Sequence, residues 1–189
     1  MKVDDIRGIA KENPYFTISD VKRVAGQRYA YLIITKLMKR GEIFRLGRGV
    51  YSRYSDPSLA VYYFKPAYIG LQDAMSYHNL WEQETVPIII TCRKVRRVER
   101  TVFKTRMVVK AISPNYFFGY EFIETGDFSV PVSDVEKTLI DLIYFREWVK
   151  DYGKLFSGKV DLNRLNEYLE RYSPRLRKTI DKLDLRRNL

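Results

Sequence analysis

Histidine and cysteine occur once each in this chain of 189 residues, as His78 and Cys92. A lone cysteine excludes an internal disulfide, and the compartment it fits is a reducing cytoplasm. One His and one Cys cannot supply the usual four ligands of a Cys/His zinc site, so no metal is expected. No run approaches the roughly 18 apolar residues that a membrane span needs, and no membrane partner is expected. The start, Met1-Lys2-Val3-Asp4-Asp5, lacks the apolar core of a signal peptide. The phosphate-cradling patterns G-x-x-x-x-G-K-[ST] and G-x-G-x-x-G are missing, and so is the nucleophile pattern G-x-S-x-G. Neither a cofactor nor a catalytic residue is therefore expected. There is no internal repeat and no low-complexity tract.

What the chain has is positive charge, unevenly spread. The net charge is +11. Lys22–Arg53 holds nine Lys/Arg against one acid, Glu42, for +8. Arg93–Arg106 holds seven against one, for +6, and Arg171–Arg187 seven against two, for +5. The three segments together exceed the net charge, so the rest of the chain is acidic. Clustered bases favour nucleic acid or another anionic surface, whereas an even coat favours little beyond solubility. A solvated charged face is the bland explanation for any one cluster. The pattern beneath the first cluster argues for more.

Phe16 to Tyr51 reads as a helix-turn-helix followed by a short basic β-wing. Ile18–Ala25 suits a helix, Gly26 a sharp turn, and Arg28–Arg40 a second helix stopped by Gly41. Ile43–Leu46 and Val50–Ser52 flank Gly47-Arg48-Gly49, a tight hairpin with Arg at its tip. In the second helix Ala30, Ile33, Ile34 and Leu37 share one face, while Arg28, Tyr31, Leu32, Thr35 and Lys39 share the other. The outer set mixes bases, a hydroxyl, an aromatic and an aliphatic group, which suits phosphates, base edges and thymine methyls. Leu32 has a second explanation, packing on the wing or on a partner subunit. The expected DNA-binding residues are Lys22, Arg23, Gln27, Arg28, Tyr31, Thr35, Lys36, Lys39, Arg45, Arg48 and Arg53.

The expected fold class is α+β: a winged helix-turn-helix at 1–56, then a mixed α/β domain at 57–189 with a helical tail. Val3–Glu12 is an expected first helix, ended by Pro14. Ser55-Asp56-Pro57-Ser58 reads as a turn or linker. Beyond it, Gly70–Leu80 suits a helix and Val86–Thr91 a buried strand. Val102–Ile112 and Tyr116–Ile123 suit strands, the latter with Tyr116, Phe118, Tyr120 and Phe122 on one face. Phe128–Val132 is a further strand. A helix runs from Ser133 to Tyr144, with Ser133 and Glu136 spaced as a capping box. Leu162–Leu185 looks helical with a break at Ser173-Pro174.

His78 sits on an apolar helix face and reads as a hydrogen-bonded core histidine. Asp134 and Glu136 beside Lys137 hint at a metal-dependent nuclease, but capping and an i,i+4 pair between Lys137 and Asp141 account for them more simply. Arg93, Lys94, Arg96, Arg97, Arg100, Lys104 and Arg106 are candidate accessory contacts. They suit a phosphate backbone or an acidic protein partner equally.

Three passages, in order, resemble the AbiEi-type antitoxins of type IV abortive-infection toxin–antitoxin systems. They are Leu37–Tyr51, Tyr68–Leu80 and Val132–Leu142. The resemblance spans about Phe16 to Tyr144 and implies a DNA-binding N-terminal domain that represses its own promoter. It also implies a C-terminal domain opposing a nucleotidyltransferase-like toxin. The expected function is a sequence-specific, DNA-binding transcriptional regulator and antitoxin. The alternatives are a nucleic-acid-processing enzyme with a winged-helix targeting domain, or an interaction module holding an acidic partner.

Overall fold

The computed structural model describes residues 2–83, 85–95 and 98–183. Arg96, Arg97 and the side chain of Arg100 in the middle cluster lie outside what is described, as do Leu185, Arg186 and Arg187 of the tail. The first helix, α1 (Lys2–Glu12), stops ahead of Asn13-Pro14, because proline disfavours helical backbone in the residue before it. A two-residue strand, β1 (Phe16–Thr17), leads into α2 (Ile18–Ala25). Thr17 and Asp20 cap α2 reciprocally: the Thr17 hydroxyl accepts from the Asp20 N–H, and the Asp20 carboxylate accepts from the Thr17 N–H. Gly26, at φ 84°, turns the chain into α3 (Gln27–Lys39). Past α3, the Gly41 N–H bonds the Met38 carbonyl and the Glu42 N–H bonds Leu37, which satisfies carbonyls the helix end leaves open.

The strands β2 (Phe44–Gly47) and β3 (Val50–Ser52) pair antiparallel. Strand β1 joins the far side of β3, so the order is β1-β3-β2. No local pattern announces β1, which exists only through its pairing of Phe16 with Tyr51. Ile6, Val21, Ala25, Ala30, Ile33, Ile34, Leu37 and Ile43 close the core between helices and sheet. The four positions expected on the inner face of α3 are all buried. Each such Leu or Ile contributes on the order of 1.5–3 kcal/mol.

Residues 55–58, expected as a turn or linker, begin a short 3-10 helix over Pro57–Tyr62. The Asp56 carboxylate accepts from both the N–H and the hydroxyl of Ser58. Leu59, Ala60 and Val61 are fully buried. The chain then builds a six-stranded mixed sheet. Its strands are β4 (Ala67–Ile69), β5 (Ile88–Thr91), β6 (Val98–Val102), β7 (Thr105–Ala111), β8 (Tyr120–Thr125) and β9 (Phe128–Ser133). The order is β6-β7-β5-β4-β9-β8, with β4–β9 and β5–β7 parallel.

Alternation along each strand sorts residues to two faces. Ala67, Ile69, Ile89, Met107, Val109, Val130 and Val132 pack with Leu46 and the 3-10 segment. Tyr68 and Ile90 point the other way, into a core shared with α4 (Leu71–Tyr77), α5 (Val135–Tyr144), α6 (Tyr152–Phe156), α7 (Leu162–Leu169) and α8 (Pro174–Asp181).

Three expectations are corrected. The span 102–112 is not one strand: Phe103-Lys104 is a two-residue turn between β6 and β7, with Val102 paired to Thr105. Lys104 and Arg106 therefore do not share a strand face. The span 116–123 is not one strand either. Gly119, at φ 67°, breaks it. Tyr116 stacks on Tyr172 with centroids 4.3 Å apart, Phe118 meets Tyr168 edge-on, and Tyr120 and Phe122 remain exposed. The cap of α5 is Asp134, not Ser133: its carboxylate accepts from the Lys137 N–H at 2.8 Å. The Glu136 carboxylate instead accepts from the Asp161 N–H at 2.7 Å, and the Ser133 hydroxyl bonds Thr138.

Candidate nucleic-acid interface

The outer face of α3 is open. Gln27, Arg28, Tyr31, Thr35, Lys36 and Lys39 are all exposed. Leu32 is 65 % exposed, so no described part of this chain packs over it, the β2–β3 hairpin included. Tyr31 is 55 % exposed, and the Lys22 ammonium of α2 lies 5.1 Å from its ring centroid. That contact ties the outer edges of α2 and α3 and keeps a charge beside the aromatic. The Thr35 hydroxyl donates to the Tyr31 carbonyl at 2.8 Å, leaving its lone pairs facing outward as acceptors. Tyr29, not among the expected contacts, is 53 % exposed and adds to this apolar-and-basic face.

The hairpin carries Arg48 at its tip and Arg45 on β2, both exposed. The Gly49 carbonyl accepts from the Ile18 N–H at 2.8 Å, which fastens the tip to the start of α2. That bond holds the backbone of the turn next to Arg48 against the start of α2. Arg45 donates from Nε to the Gly47 carbonyl at 3.2 Å. Arg23 pairs with Asp20 at 3.0 Å and stays largely in solvent.

Arg53 stands apart from this set. It lies past the open end of the hairpin, beside Arg7, Lys11 and Glu42, with its guanidinium 4.9 Å from the Tyr54 ring centroid. Glu42, the one acid of the first basic segment, turns toward α1. Arg7 grips it with two hydrogen bonds, Nε at 2.7 Å and Nη2 at 2.9 Å. These bonds hold the Glu42 carboxyl below its ordinary range. The acid is thus matched within the fold, and the exposed charges of α3 itself are all basic.

The other candidate chemistry is absorbed by the fold. His78 ends α4 and, half-buried, donates from Nε2 to the Ser133 carbonyl at 2.7 Å. Both nuclease-like acids are committed: Asp134 caps α5 and accepts from the Tyr168 hydroxyl at 2.7 Å, and Glu136 holds the start of α7. Among the described residues no group of three His, Cys, Asp or Glu side chains could hold a metal ion.

Lys137 and Asp141 do pair, but not at the surface. Both side chains are 0 % exposed. The Tyr68 hydroxyl donates to the second Asp141 oxygen at 2.7 Å. Burial pushes the Lys137 ammonium down and the Asp141 carboxyl up, each opposed by its partner. No sequence signal marks this burial: Val135, Leu139, Ile140, Leu142 and Ile143 form one apolar side of α5, yet Glu136 to Leu142 are all buried.

Residues 6–54 match the family model AbiEi_4, described as a transcriptional regulator, AbiEi antitoxin. The match runs from within α1 to just past β3. No curated protein sequence matches the chain. Among the described residues no helix is long and apolar enough to cross a membrane.

Proposed function

We propose that residues 1–56 form a winged helix-turn-helix that binds duplex DNA, with α3 as the recognition helix and the β2–β3 hairpin as the wing. On this reading the chain is a cytoplasmic, sequence-specific repressor of its own promoter. Residues 57–189 then act as the antitoxin portion, opposing a neighbouring nucleotidyltransferase-like toxin. The observation that carries the reading is one surface. An exposed helix face of bases, hydroxyl, aromatic and aliphatic side chains stands beside a hairpin tip bearing Arg48, and the family match covers these residues. An enzymatic reading would need Asp134 and Glu136 available to substrate, and both already hold backbone N–H groups.

Binding of the full chain to its promoter duplex, followed by fluorescence anisotropy across salt, tests the DNA reading. Six or more phosphate contacts should cost about a thousandfold in affinity between roughly 50 and 200 mM salt. No binding at low salt to that duplex or to any other rejects it. Growth rescue on co-expression with the neighbouring toxin tests the antitoxin reading. Promoter binding without rescue would reduce the protein to a stand-alone regulator.

A further inference from the structure

The middle basic segment reaches the wing at two separate places, once through Tyr63 and once directly through Phe103. At the wing tip, the Tyr63 ring lies against Gly47 so closely that a Cβ there would fall 2.3 Å from it. The carbonyl of that same Tyr63 accepts from Arg93 Nη1 at 3.2 Å. At the other end of β2, Phe44 meets Phe103 edge-on, with centroids 6.0 Å apart and planes at 82°. Phe103 and Lys104 form the tip of the β6–β7 hairpin. The segment after β5 and the tip of β6–β7 therefore bracket β2, which carries exposed Arg45 between them.

The β6–β7 tip is built at a cost. Phe103 has φ 51° and Lys104 φ 66°, so both central residues of a two-residue turn are left-handed. Asn-Gly or Gly-Gly serves such a turn without strain. The Phe44 contact accounts for Phe103. Lys104 has an exposed side chain, and strained positions of this kind gather where a side chain has work at a surface.

We propose that Arg93, Lys94 and Lys104 form a second contact surface for the same duplex, holding backbone phosphates that flank the wing. The inference rests on the DNA-binding reading above and extends it to residues 57–189. Charge and shape favour DNA over a protein partner. All three side chains are exposed bases, and they stand on either side of a strand whose own exposed base is Arg45. Protein interfaces need buried aromatic or aliphatic anchors. Among the described residues, none of the exposed large hydrophobic side chains falls between 93 and 106. Phosphate contacts carry no sequence information, so this surface adds affinity evenly to all sequences.

The test uses the full chain and two promoter duplexes. One is trimmed to the footprint of α3 and the wing, and the other extends about 10 base pairs further on each side. Arg93→Gln/Lys104→Gln should bind the short duplex like the wild type. It should lose the extra affinity of the long one, with the slope of log K against log salt shallower by about 2. Lys94→Gln/Lys104→Gln spares the Tyr63 contact and should behave alike, which separates lost phosphate contacts from a disturbed fold. Unchanged affinity and slope on the long duplex for this second variant would overturn the proposal. Intact DNA binding with lost toxin rescue would overturn it in favour of a protein partner. Failure of the wild type on both duplexes would reject the DNA reading itself, an outcome separate from a wild type that binds with a slope the variants share.

Discussion

Lys137→Met is the sharpest test of how the helical core against the six-stranded sheet is held together. It removes the ammonium from a site with no solvent to replace it and keeps most of the side-chain volume. The Nζ lies 5.5 Å from the ring centroids of both Tyr68 and Phe118 and 6.0 Å from that of Tyr172. Asp141, 0 % exposed, would keep only the Tyr68 hydroxyl as a partner. Breaking a buried pair from one side costs about 3–5 kcal/mol, because the surviving charge stays desolvated. For a chain of this length that corresponds to a loss of roughly 6–20 °C in Tm. Lys137→Met/Asp141→Asn removes both charges and leaves Tyr68 an acceptor, so it should recover most of the loss. The coupling should be on the order of 3 kcal/mol. The single variant should also acquire a pH dependence. With the ammonium gone, burial lifts the Asp141 carboxyl further above its unfolded value, so the folded state binds the proton more tightly. Stability is then fully present below the unfolded pKa and is lost as pH rises through the folded one. Urea unfolding of Lys137→Met, Asp141→Asn, the double variant and the wild type at pH 5 and pH 8 measures all of this. Single variants that each cost under about 1 kcal/mol, and add in the double, would refute the argument. Unchanged stability with abolished toxin rescue would show that the pair serves function rather than folding.

Other contacts lead to further expectations. Arg28→Ala and Thr35→Ala should each lose about 1–3 kcal/mol of discrimination between operator and random DNA, whereas Arg48→Ala should weaken both nearly equally. Competition binding would measure this, and equal losses for the helix variants would move base readout elsewhere. Burial pushes the Asp73 carboxyl up to about 6, although Thr85 and the Ile88 N–H both donate to it. The folded state therefore holds that proton more tightly than the unfolded chain. Its contribution, on the order of 2–3 kcal/mol, should be present below about pH 4 and lost by about pH 7. Asp73→Asn should flatten that part of the stability–pH curve in urea melts, and a wild-type curve without the fall would contradict the assignment.

The first fifty residues were legible because their signals are local. Glycines at 26 and 41 stand where φ is positive, and the buried face of α3 repeats at helical spacing. The exposed basic face follows from the same periodicity. The strands of the six-stranded sheet are harder to bound. Val102 to Ile112 is continuously strand-like in composition, and nothing in Phe103-Lys104 announces a turn. The turn exists because β6 and β7 pair and Phe103 rests on Phe44. Likewise Tyr116 and Phe118 alternate as a strand would, yet they pack against Tyr172, between α7 and α8, and Tyr168 of α7, some fifty residues later in the chain.

The sequence by itself therefore determined the helix–glycine–helix–hairpin order and the placement of charge in three segments. Each is a matter of residue type and short-range spacing. Tertiary structure alone decided which acids are neutralised, as Arg7 reaches Glu42 across thirty-five residues. It decided that Lys137 is a core residue rather than a surface one. It also decided that the middle basic segment comes close to β2, Arg93 by way of Tyr63 and Phe103 by resting on Phe44. These outcomes depend on which faces meet when distant elements bury their apolar sides, and no local pattern encodes that meeting.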